Sequence, residues 1–124
     1  MRQIEIITGD LNLRAEIFDT LTGSEIYKLL PVEGTANIWG DEIYFGIGTS
    51  IEQEPEARAE VNVGELGYWP VGSAFCIFFG PTPVSNNGKP RAYSPVNVFG
   101  KITGDAAVLR KVRQGEKVVI KKAE

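Results

Sequence analysis

The chain has 124 residues, 43% of them hydrophobic and 23% charged, which fits a single domain over residues 1–124 with one sizeable core. A net charge of −3 gives no electrostatic reason to expect nucleic acid as a partner, and the lone cysteine excludes an internal disulfide and suits a reducing, cytoplasmic setting. No apolar run approaches the ~20 residues of a membrane-spanning helix, and the N-terminal residues turn polar too soon for a secretory signal.

Gly and Pro fall between short apolar runs, the punctuation of an all-β chain. Ile4 and Ile6, the turn Thr8-Gly-Asp10, and Leu11, Leu13, Ala15 and Ile17 alternating with Asn12, Arg14 and Glu16 predict an opening hairpin with one wet face. Thr22-Gly-Ser-Glu25 has the form of a capping box, and Ile26, Leu29 and Leu30 share a helical stripe that Pro31 stops. A helix of about two turns follows, too short and too weakly basic to lie on a membrane. Ile43, Phe45 and Ile47 alternate with Tyr44 and Gly46 as a strand. Gly48 to Arg58, with Glu52, Glu54 and Glu56, reads as an exposed acidic loop. Strands are then expected at Ala59–Val63 and Leu66–Trp69, bent around Gly64. Phe75 to Phe79 is continuously apolar, so both its faces are expected to be covered. Val96, Val98 and Ile102 mark another strand, Asp105 caps a short helix with Val108, Leu109 and Val112 inward, and Lys117–Lys121 is the last strand. About eight strands and two helices result. Eight strands closed on themselves would abolish exposed edges, with the helices capping the two ends.

The order of motifs from Gly64 to Asp105 resembles the second half of the cyclophilin barrel. The counterparts are the run Phe75-Cys-Ile-Phe-Phe79, the turn Asn87-Gly-Lys89, the strand Val98-Phe-Gly-Lys101 and the segment after Gly104. Four further runs resemble a prokaryotic family of cyclophilin-like proteins of unassigned function: Trp39-Gly-Asp-Glu-Ile-Tyr-Phe45, Gly67-Tyr-Trp-Pro70, Ile77-Phe-Phe-Gly-Pro-Thr-Pro83 and Ser94-Pro-Val-Asn97. The resemblance implies a closed cyclophilin-like barrel and supplies no reaction. Cyclophilins are peptidyl-prolyl isomerases. Their arginine donates to the prolyl nitrogen as the imide twists, which helps only in the transition state. That arginine lies in a Phe-His-Arg run after the first helix, and the corresponding segment here, Asn37 to Tyr44, has acids and aromatics but no arginine. The pocket histidine is absent, as is every histidine, and Val84-Ser-Asn-Asn87 replaces the pocket tryptophan.

Trp39, Tyr44, Tyr68 and Trp69 are candidates to line a ligand cleft; a core and rim role is the structural alternative. Glu42, if desolvated among those rings, is a candidate acid or base; otherwise it is an outward carboxylate at a strand start. Arg58 and Arg91 are candidates to replace the missing guanidinium, with surface ion pairs as the alternative. Thr82, Ser94 and Asn97 offer groups that orient a polar ligand or stabilise loops. Cys76, without a histidine, reads as an inert buried thiol. The basic residues Arg110, Lys111, Arg113, Lys117, Lys121 and Lys122 read as a solvated face. Zinc, calcium and dinucleotide patterns are absent, so no metal or cofactor is expected. Three functions remain in view: a module binding a small molecule or proline-containing peptide, a divergent prolyl isomerase using Arg58 or Arg91, and a structural or assembly role through dimerisation. Neither ligand identity nor monomer against homodimer is readable.

Overall fold

The computed structural model describes residues 2–123. In chain order the elements are β1 (Arg2–Thr8), β2 (Leu11–Ile17), α1 (Leu21–Leu29), β3 (Val32–Thr35), β4 (Asn37–Ile38), β5 (Glu42–Gly46), β6 (Arg58–Glu60), β7 (Glu65–Trp69), β8 (Ala74–Phe78), β9 (Arg91–Thr103), a 3-10 helix (Ala106–Lys111) and β10 (Lys117–Lys122). The all-β class holds, with ten strands where about eight were expected. One antiparallel sheet runs β3-β10-β1-β2-β9-β7-β8-β5-β4, and β6 pairs with β9 off that path.

Closure of that sheet by hydrogen bonds, expected from the strand count and the resemblance, is not found. No ladder joins the end strands β3 and β4 among the described residues. The two are consecutive in the chain, with only Ala36 between them. The Ala36 backbone bonds elsewhere: its N–H donates to the Glu116 carbonyl (2.8 Å), and its carbonyl accepts from Gly115 (2.9 Å). The sheet ends therefore meet through the chain itself.

The first helix also starts earlier than its capping-box motif suggests. Thr20 is the N-cap, and its hydroxyl accepts from the Gly23 N–H at 2.9 Å. Thr22 is buried in the first turn and donates to the Glu54 carboxylate. Asp105 caps the second helix as expected, accepting from the Ala107 N–H at 2.9 Å. Ile26 and Leu109, one from each helix, belong to the main core.

Period-two alternation splits the apolar residues of three neighbouring strands between two faces. Ile43 and Phe45 of β5, Leu66 and Tyr68 of β7, and Phe75 and Ile77 of β8 enter the main core. There Phe75 stacks on Phe45 (ring centroids 5.3 Å apart) and meets Phe99 edge-on (5.1 Å). The opposite face carries Ala74, Cys76 and Phe78, which pack with Val61, Ala92 and Val96 in a second apolar cluster. Every residue of β8 is buried, which explains its unbroken apolar run.

The cover on that second face is the first half of β9, with β6 along its edge in the register Arg58↔Val96 and Glu60↔Arg91. β9 reaches it by a bulge against β7: Leu66 pairs with Gly100 and Gly67 with Val98, so Phe99 is the extra residue. Gly67 is needed at the crossing. A Cβ there would lie 2.8 Å from Val96 Cγ2.

The acidic loop after β5 is tied down and is not simply solvated. Asn97 accepts from the Glu54 N–H (2.8 Å) and donates to the Glu52 carbonyl (2.9 Å) and to Thr22 Oγ1 (3.1 Å). Ile51 is buried beneath the loop, its N–H donating to the Tyr68 hydroxyl at 3.1 Å. Truncating Asn97 leaves these groups without partners. Asn97→Ala is expected to lose about 2 kcal/mol or more in urea unfolding, with faster amide exchange at Glu54. A loss under ~0.5 kcal/mol, the range of neutral surface changes, would contradict this tether.

Candidate functional site

The second apolar face is not fully covered. A cleft of about 260 Å³ opens there, lined by Trp39, Glu42, Tyr44, Trp69, Ala92, Tyr93 and Val96. Its geometry begins with the tight turn from β4 to β5. The Trp39 N–H donates to the Glu42 carbonyl (2.9 Å), and the Glu42 N–H donates back to the Trp39 carbonyl (3.1 Å). Gly40, between them, sits at φ +60, a left-handed conformation that side chains other than glycine rarely take. This pinch brings Trp39 and Glu42 into the lining of the same cleft. Tyr44, two residues on, shares the face.

Trp69 comes from β7, and its indole N–H donates to Ser94 Oγ at 2.6 Å. Ser94 thus orients a wall of the cleft. Tyr93, 75% exposed, stands edge-on to both indoles, with centroid separations of 6.2 Å to Trp39 and 6.3 Å to Trp69. Three rings therefore bound one opening, with Tyr44 a fourth aromatic in the lining.

Glu42 is the one charged residue in that lining. It is 5% exposed, and its Oε1 is buried without a hydrogen-bond partner. Burial pushes its pKa from 4.5 up to about 7, and the neighbouring Cys76 thiol, as an S–H donor, pulls it partly back. The thiol also makes a long 3.9 Å contact with the Ala74 carbonyl, so it satisfies the carboxylate only weakly. Burial raises the Cys76 pKa in turn, and the adjacent Glu42 charge raises it further. Cys76 is a free, buried thiol, as expected.

The other sequence candidates lie elsewhere. Tyr68 is fully buried in the main core; its hydroxyl donates to the Thr49 carbonyl at 2.6 Å. Its neighbour Trp69 faces the cleft because adjacent strand residues point to opposite faces. Arg58 donates to Glu65 Oε2 (3.1 Å) and to the Glu60 carbonyl (3.0 Å). It borders a separate, more polar hollow with Glu54 and Asn97, so Arg58 and Glu42 share no pocket. Thr82 donates to the Arg91 carbonyl at 2.5 Å and accepts no role in the lining; it anchors the chain just before Ala92 and Tyr93. Arg91 itself is not in the lining, and Asn97 is spent on the loop. Sequence reasoning missed Tyr93, Ala92 and Val96. The available signal was the Ala92-Tyr-Ser94 alternation, just before the strand expected from Val96. No cluster of metal-binding side chains occurs among the described residues, and no helix there is long and apolar enough to cross a membrane.

A family model described as cyclophilin-like matches residues 2–121. Solved structures similar to this chain include the solution structure of the hypothetical protein AF2241 from Archaeoglobus fulgidus. The two are 36% identical over 98% of this chain and 95% of that one, with a TM-score of 0.81. No curated protein matches.

Glu42 gives folding a definite pH dependence. The folded carboxyl holds its proton up to about pH 7, whereas 4.5 is its ordinary value. Between those values the folded state binds more protons than the unfolded one, so stability falls as pH rises and then levels off. At ~1.4 kcal/mol per unit the loss is about 3 kcal/mol. Glu42→Gln is expected to remove that component, so its unfolding free energy should gain about 2–3 kcal/mol on wild type between about pH 5 and about pH 8. Parallel pH profiles for the two proteins would contradict the desolvated carboxyl.

Proposed function

The chain belongs to the cyclophilin-like family, and on that premise we propose that it binds a ring-sized small molecule in the cleft between Trp39, Trp69 and Tyr93, in the cytoplasm, without efficient prolyl isomerase activity. The observation that carries the reading is the buried, unpartnered Oε1 of Glu42 in an otherwise aromatic and apolar lining. Buried polar groups in native structures are nearly always satisfied, and an exception inside a cleft points to a group that arrives with a ligand. The volume of about 260 Å³ falls just under the ~300–1,000 Å³ of drug-sized pockets. It suits one ring with a short polar arm better than a length of extended peptide. The single thiol, buried and unpaired, fits a reducing compartment.

Isomerase chemistry has less support. A twisting imide gains a lone pair on the prolyl nitrogen and needs a hydrogen-bond donor there. The lining has no arginine or lysine, and Arg58 is held by Glu65. Above about pH 7 the ionised Glu42 among the rings has no proton to donate.

Both tryptophans of the chain lie in the cleft, so intrinsic emission reports its occupancy. Single-ring probes are expected to change that emission and to raise the thermal midpoint, as any native-state ligand does. Trp69→Ala should abolish the midpoint shift. In a prolyl-peptide assay, wild type and Arg58→Ala should both match buffer. Catalysis by wild type that is lost in Arg58→Ala would overturn the binding reading in favour of the isomerase.

A further inference from the structure

The cleft has one formal charge in its lining and nothing within the lining to balance it. Glu42 is faced from its own strand by Tyr44, from β8 by Cys76 and from β9 by Tyr93. β7 contributes Trp69 and the β4–β5 turn Trp39, neither of which titrates. None of these groups is cationic. The nearby acid Asp41 is turned to Arg110 at 3.7 Å, and the guanidinium of Arg58 is taken by Glu65. A carboxylate 5% exposed therefore lacks a counter-ion in the protein, although a buried charge is normally paired.

The walls favour the same sign of ligand. Aromatic faces carry negative potential and attract cations, most strongly where water is excluded. Trp39 and Trp69 both pack in T-shaped geometry with Tyr93, with the carboxylate in the same lining. Resting on the binding reading above, we infer that the ligand is an organic cation, a protonated primary or secondary amine or an amidine on a ring-sized apolar body, whose N–H donates to the Glu42 carboxylate while its body fills the cleft between the rings.

The chemistry fixes what each part does. The N–H hydrogen-bonds the carboxylate and supplies the missing counter-charge, while the rings select the apolar body and favour the cationic head. A quaternary ammonium has the charge but no donor, so it leaves the carboxylate without a hydrogen bond. A carboxylate ligand meets repulsion. Binding is also linked to protons, because an ammonium ion is attracted by the ionised carboxylate and not by the neutral acid. The Glu42 pKa of about 7 makes cation affinity rise with pH through neutrality and level off above it.

The test is a set of fluorescence titrations with benzylammonium, benzyl alcohol and benzoate, on wild type, Glu42→Gln and Trp69→Ala, at about pH 6 and about pH 8. Benzylammonium stays protonated across that range. At the higher pH it is expected to bind wild type at least about tenfold more tightly than benzyl alcohol, with benzoate weakest. Its affinity should fall several-fold at the lower pH. Glu42→Gln should bring the cation within about twofold of the alcohol and remove the pH dependence, because the amide keeps the shape and loses the charge. Equal or tighter binding of benzyl alcohol by wild type overturns the cationic ligand, and a cation preference undiminished in Glu42→Gln overturns its pairing with Glu42; if Trp69→Ala still weakens both probes, the cleft reading stands. No response of wild type to any of the three overturns both.

Discussion

The crossing of β9 over β7 governs the rest of the molecule. Beyond the bulge, β9 is core sheet: Phe99 meets Phe75, and Ile102 and Gly100 lie in register with Ala15 and Ile17 of β2. Before the bulge, Ala92 and Val96 lie over the far side of the sheet, against Cys76 and Phe78. One continuous strand thus serves two apolar faces, which Gly67 permits by offering no Cβ to Val96. Without that close approach the outer face would be solvated. Ala74, Cys76 and Phe78 would then have no reason to be apolar, and Glu42 would sit in water with an ordinary pKa.

That second cluster explains how a buried acid is tolerated. The cost of keeping Glu42 ionised, about 3 kcal/mol, matches the burial of one or two large apolar side chains at ~1.5–3 kcal/mol each. Phe78 and Val96, both fully buried in the same cluster, offset it. The acid is tolerated locally, by the same packing that desolvates it, and stability is surrendered where a ligand is expected to act. Orientation of the walls is secured separately: Ser94 fixes the Trp69 indole, and Thr82 holds the backbone of Arg91 just before Tyr93.

The sequence made the fold class and half of the cleft legible, and particular residues show why the remainder was not. β8 declared itself by five apolar residues in a row, and Trp39, Glu42 and Tyr44 were singled out by a run that is turn-like and aromatic together. Tyr68 and Trp69 were grouped because they are adjacent, yet adjacency on a strand separates side chains; the pleat sends one to the core and the other to the cleft. β3 escaped notice because Val32-Glu-Gly-Thr35 has one apolar residue, and the reason for Gly34 lies far away, where a Cβ would meet the Phe45 ring at 2.5 Å. Thr22 fits a capping box by local pattern, but Thr20 fits the cap as well, and the long-range partner Glu54 decides between them. Tyr93 was hidden by its loop-like neighbours Asn87-Gly-Lys-Pro90. In each case the deciding contact is distant in sequence, which local pattern cannot report.

The family resemblance and the site chemistry separate at one strand. In cyclophilins the strand after the first helix brings a guanidinium to the proline groove. The matching segment here, Asn37 to Tyr44, brings the carboxylate of Glu42 instead, with Trp39 in the same lining. Such an exchange does more than delete a catalytic donor, because it reverses the sign of the charge in an apolar setting where charge is weakly screened. A prolyl nitrogen that becomes electron-rich on twisting is disfavoured by a neighbouring anion, whereas a protonated amine is favoured by it. The same inversion thus counts against imide rotation and in favour of a basic ligand. The shared fold supplies the walls, and the sign of a single buried side chain separates the two chemistries those walls can serve.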